Sequence, residues 1–82
     1  MKTVVENLKE HLRIAKYKHP GYPEDPIHRV AIMVEEAGEA TQAAIDLIYH
    51  GGSELELRKE LYHTGAMVLR MLEAMGGEVG DG

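Results

Sequence analysis

All three prolines of this chain fall inside one eight-residue stretch, His19-Pro20-Gly21-Tyr22-Pro23-Glu24-Asp25-Pro26. Proline fixes φ and removes an N–H, so this stretch is excluded from regular helix, while the segments on either side are not. A second break follows at Gly51-Gly52. The two breaks leave three segments, and each carries a helix start signal. Thr3 is an N-cap with Glu6 at the capping-box position, and the first helix is expected to run to about Tyr17. Asp25 and Pro26 form an N-cap and first-turn pair, opening a second helix to about Tyr49 or His50. Ser53 caps a third, with Glu56 three residues on, running from Glu54 to about Met75. No stretch alternates polar and apolar residues over a useful strand length. The expected class is all-α: three main helices in a single domain over residues 1–75, then a flexible Gly-rich tail over 76–82.

The apolar pattern says how these helices pack. On the first, Val4, Val5, Leu8, Leu12 and Ala15 share a stripe, with Ile14 to one side. Lys9, Arg13 and Lys16 form a basic strip at helical spacing. The second helix is apolar over much of its circumference, through Ile27, Val30, Ile32, Met33, Val34, Ile45, Leu47 and Ile48. Such a helix needs cover on more than one side, and three helices hardly supply it. The expectation is a helical bundle completed by homo-oligomerisation, as homodimer or homotetramer. On the third helix, Leu57, Leu61, Thr64, Val68, Leu72 and Met75 are the expected core stripe. Gly38, in the middle of the second helix beside several alanines, suggests close helix packing. Gly there costs about 1 kcal/mol relative to Ala.

Composition narrows the function. The chain has 82 residues, no Cys, no Trp and no Phe. A disulfide framework and a thiolate zinc site are therefore excluded. The core must be aliphatic and Met-rich, and a domain this small is marginal alone. The formal net charge of −5 argues against binding a nucleic-acid polymer through a basic surface. It does not argue against a nucleotide, since metal ions bridge acidic protein to phosphate. The charged N-terminus does not read as a signal peptide, and no segment approaches a membrane span. A cytoplasmic protein is the expected setting.

Two acidic motifs carry the chemistry. Glu35-Glu36-Ala37-Gly38-Glu39 lies on the second helix, and Glu60-Leu61-Tyr62-His63 on the third. Residues three and four apart share a helix face, so Glu36 projects beside Glu39, Glu35 beside Glu39, and Glu60 beside His63. Glu36 and Glu39 also border apolar positions Ile32, Ala43 and Leu47. Unpaired carboxylates next to apolar surface are costly and repel one another; a bound cation resolves both problems. Facing helices would bring together a divalent-metal site. His11, His19, His28 and His50 show no ligand spacing with one another.

The run Val34-Glu35-Glu36-Ala37-Gly38-Glu39-Ala40, followed by Glu60-Leu61-Tyr62-His63 and Met67-Val68-Leu69-Arg70-Met71-Leu72, resembles the signature of the MazG-like, all-α nucleoside triphosphate pyrophosphohydrolases. The likeness covers roughly residues 26 to 75. It implies hydrolysis of a nucleoside triphosphate between the α and β phosphates, giving a monophosphate and pyrophosphate. It also implies Mg²⁺, with Mn²⁺ as the alternative ion, held by Glu36, Glu39, Glu60 and His63. Glu35 would then orient or deprotonate the attacking water. Phosphate contacts would come from cations such as Lys16, Arg29 and Lys59. One position departs from the family pattern: His63 stands where the family has Asp. Imidazole suits Mn²⁺, Fe²⁺ or Zn²⁺ better than Mg²⁺.

Two other readings fit the same residues. A catalytically degenerate relative would keep the bundle and bind a nucleotide or a protein. A ferritin-like di-metal carboxylate protein would use Glu60-x-x-His63 as its ligand motif.

Overall fold

The computed structural model of the protein describes residues 1–80; Asp81 and Gly82, at the end of the expected tail, lie outside the described residues. Three α-helices follow one another: α1 (Val4–Lys18), α2 (Pro26–Tyr49) and α3 (Glu54–Ala74). There is no strand among the described residues, and no helix is long and apolar enough to cross a membrane. The expected starts hold at all three N-termini. Both halves of the Thr3–Glu6 capping box are made. The Asp25 and Ser53 side chains accept from the N–H groups of Ile27 and Glu56. Two glycines turn the chain out of its helices. Gly51 sits at φ +71°, and Gly76 at φ +97°, after which the Gly77 N–H returns to Leu72 C=O at 2.9 Å. That return bond satisfies a carbonyl which the helix end leaves open.

α3 is the middle helix. It packs against α2 on one side and α1 on the other, while α1 and α2 do not pack against each other. On the α1 side, the Tyr62 ring stacks on His11, Leu8 runs over Gly65, and Glu73 pairs with Lys16. On the α2 side stand Glu60 and His63, facing Glu36 and Glu39. These two sides lie about 160° apart around α3, at about 100° per residue. One remaining side faces into a trough between the flanking helices, and the other forms the back of the molecule.

This arrangement changes the roles expected for α3. Its apolar stripe does not form the core: Leu61, Val68, Leu72 and Met75 are exposed, on the back. The buried positions are Ala66, 1 % exposed, with Glu60 and Arg70. The buried apolar set is small, Leu12, Ala40, Ala43 and Ala66. α2 shows the same inversion, with Ile27 at 80 % and Ile48 at 71 % exposure. Because α2 and α3 are joined through residues 50–53 alone, they run antiparallel. Helical spacing puts Val34 and Ile45 on the side of α2 turned away from α3, with Val30 and Ile48 between that side and the back. The exposed apolar residues thus fall on two separate tracts, the back of α3 and the outer side of α2. Gly38 lies on that outer side, with nothing within 4 Å of where a Cβ would stand. The close approach expected at Gly38 occurs at Gly65, where a Cβ would meet Leu8 Cδ2 at 2.5 Å.

The proline-rich connection is pinned from below. Arg70, buried in the trough, donates from Nη2 to His19 C=O at 2.9 Å, and its guanidinium lies 4.3 Å from the Tyr22 ring centre. Arg29 sits 5.0 Å from the same ring and donates from Nε to Pro23 C=O at 2.5 Å. Tyr22 is therefore held by two cations, and the connection forms one wall of the trough. Beyond α3, Val79 is half-buried in a groove with Lys9, Leu12, Arg13 and Lys16.

Candidate metal centre

Where the trough meets α2, three donors converge: one carboxylate oxygen each from Glu36 and Glu60, and a His63 ring nitrogen. All lie within 4.8 Å of one another. His63 Nδ1 is 3.7 Å from Glu36 Oε2 and 3.8 Å from Glu60 Oε1. These separations exceed hydrogen-bond length. They suit three ligands spread around one ion rather than groups bonded to each other.

The local structure makes the cluster expensive without an ion. Glu60 is about nine-tenths buried, and its Oε2 has no hydrogen-bond partner; neither has the buried Oε2 of Glu36. Buried carboxylate oxygens normally find donors, and leaving them without any costs free energy. Burial raises the Glu60 pKa above its ordinary value of 4.5. The neighbouring Glu39 carboxyl raises it further; His63 opposes the shift, and the Glu36 charge adds to it. Ionised carboxylates this close repel one another, and a divalent cation would remove that repulsion. Two oxygens and one imidazole nitrogen are a fitting donor set for such an ion.

The other expected site residues are distributed around this core. Glu39 is exposed and stands outside the tight three-donor group, but it abuts Glu60 and lines a second groove with Gln42, Asp46 and Glu56. Glu35 is exposed on the wall of the main cleft, beside Glu36. Lys59 Nζ lies 3.2 Å from Glu56 and 3.9 Å from Glu60, and the Glu56 carboxylate raises its pKa. Lys16 is turned away from the cleft and pairs with Glu73 at 2.6 Å. Arg29 is engaged with Tyr22 and Pro23, as described. The basic side chains that line the cleft are instead Lys18 and Arg70, with His19.

The cleft itself has a volume of about 500 Å³. Its walls combine Ile14, Ile32, Ala66 and Met67 with the acidic pair Glu35 and Glu36. His11, Tyr22 and Arg70 also line it; Arg70 stood in the run that follows Glu60-Leu61-Tyr62-His63, but neither His11 nor Tyr22 belonged to a motif. One signal was available for His11. It lies between Leu8 and Ala15 at helical spacing, a polar ring on the apolar stripe of α1.

Comparison of the chain with protein-family models, with curated proteins and with solved structures finds no match. The functional reading therefore stands on this geometry and on the two motifs.

Proposed function

We propose that the protein is a metal-dependent nucleotide hydrolase of the pyrophosphohydrolase type, releasing pyrophosphate from a nucleoside triphosphate. One observation carries the reading: Glu36, Glu60 and His63 converge within 4.8 Å, with two buried carboxylate oxygens left without partners. The resemblance of both motifs to the MazG-like signature supports it. Glu36, Glu60 and His63 would hold the ion, with Glu39 beside them. The ion would neutralise phosphate charge and make a bound water more acidic. The chain supplies the rest. Glu35, exposed at the cleft wall, accepts a proton from the attacking water. Lys18 and His19, which line the cleft, attract the phosphates. Ile14, Ile32, Ala66 and Met67 give the base an apolar wall, and the pinned connection orients it.

The deciding assay is pyrophosphate release from a panel of nucleoside triphosphates, with Mg²⁺, Mn²⁺ or chelator. Release that requires the ion is expected. Glu39→Gln is expected to lower it about tenfold, because Glu39 acts on the centre through Glu60. Absence of release with every nucleotide and both ions would overturn the assignment in favour of a binding-only module.

The working unit in this reading is a homo-oligomer joined through the outer side of α2. Val30, Val34, Ile45 and Ile48 are exposed there, and a run of exposed Val and Ile on one helix side is the mark of an interaction surface. Two copies of α2 would pair about a two-fold axis, with Gly38 letting their backbones approach. Sedimentation of the protein is expected to give a multiple of the 9.1 kDa chain. Val34→Lys, placed in the middle of that face, should shift it to the single chain at micromolar concentration. A wild-type chain that sediments alone would exclude this assembly.

A further inference from the structure

His11 comes from α1, outside either acidic motif, yet lines the same cleft as Glu35, Glu36 and His63. Its ring is held twice. It stacks on Tyr62 at 5.1 Å with planes 12° apart, and its Nδ1 lies 2.8 Å from Asn7 C=O. A carbonyl only accepts, so in the neutral ring Nδ1 carries the proton and Nε2 the lone pair. An imidazole anchored on a backbone carbonyl, with its other nitrogen bare, is prepared to ligate a metal.

The distances agree with that role. The His11 and His63 ring centres are 5.5 Å apart. Two imidazoles on neighbouring positions of one ion, with bonds of about 2.1 Å, have ring centres roughly 5 Å apart. A second observation points to a ligand at the same place: Glu60, about nine-tenths buried, presents an oxygen without a partner in the cluster that His63 completes.

We propose that His11 is the fourth protein donor of this centre, making it a two-imidazole, two-carboxylate site selective for Mn²⁺, Fe²⁺, Co²⁺ or Zn²⁺ over Mg²⁺. The inference rests on the metal centre proposed above. His11 stands outside the group whose donors lie within 4.8 Å of one another, and binding closes the centre by drawing the half-exposed His63 ring and the ion toward the anchored His11. The selectivity follows from the donors. Mg²⁺ demands oxygen ligands and keeps its waters, whereas the later first-row ions gain from each nitrogen.

The test uses the metals alone. Metal-free wild type and His11→Phe are titrated with Co²⁺ and Mg²⁺ by calorimetry, and the Mn²⁺ forms are measured by pulsed EPR to count coupled imidazole nitrogens. Phe retains the ring that stacks on Tyr62, and a thermal melt checks the fold. Two nitrogens are expected in wild type and one in the variant. Co²⁺ affinity should fall at least about tenfold in the variant, with Mg²⁺ affinity nearly unchanged. One nitrogen in both proteins, with equal Co²⁺ affinity, would overturn the role of His11 and leave the three-donor centre standing. Failure of wild type to bind any of the ions would overturn the centre and this inference together.

Discussion

Glu60→Gln is expected to reduce metal-dependent pyrophosphate release by about a thousandfold or more, and to make the metal-free protein more stable at neutral pH. The two effects have one cause. Glu60 is buried beside Glu36 and Glu39, so its charge is held where only an ion relieves it. The amide keeps the shape, removes the charge, and loses an anionic ligand. The pH dependence has a definite sign. The Glu60 pKa is raised above 4.5 in the folded state, so between 4.5 and the raised value the folded state holds a proton that the unfolded state has lost. In this window Glu60 lowers stability progressively as pH rises, and the full penalty is present above the raised value. The stability advantage of the variant in chelator should therefore be largest at pH 7 and fade toward pH 4.5. Added divalent ion should raise the melting temperature of wild type and leave the variant unchanged. Equal melting temperatures in chelator at pH 7 would show that the carboxylate is not under strain.

Arg70→Ala is expected to destabilise the fold by about 2–3 kcal/mol, a fall of about 10 °C or more in melting temperature for a domain this size. Arg70 is buried, and its removal takes away a charged hydrogen bond to His19 C=O and a cation–π contact with Tyr22. It also opens a gap under the proline-rich connection. Urea denaturation measures the loss. A change below about 0.5 kcal/mol would mean that Arg29 alone holds Tyr22.

The helices were legible because their boundaries are local. Thr3, Asp25 and Ser53 cap with their own neighbours, and the prolines and Gly51 break the chain wherever it folds. The pairing of Glu36 with Glu60 and His63 was legible from helical spacing plus the resemblance, since both motifs lie on helices that face each other. What local pattern could not show was which side of α3 is inside. The usual rule buries the Leu57–Leu72 stripe. Here Tyr62 and Gly65 dock α1, and Glu60 and His63 meet α2, so the stripe is left on the back. The contacts made by His11 and Arg70 were not legible, for the same reason. Their partners, His63 and His19, are far away in sequence and come near only when α1 and the connection fold onto α3.

The position of α3 between its neighbours also orders events in time. Glu36, Glu60 and His63 all belong to one helical hairpin closed through residues 50–53, so bringing them together costs little loop entropy. α1 attaches only to α3, across a longer stretch of chain, and such contacts form later. On this loop-closure argument the mutually repelling carboxylates are expected to meet first, as the hairpin closes, and His11 to arrive with α1. A divalent ion present during synthesis would act on the hairpin itself, promoting its closure before the rest of the domain has docked.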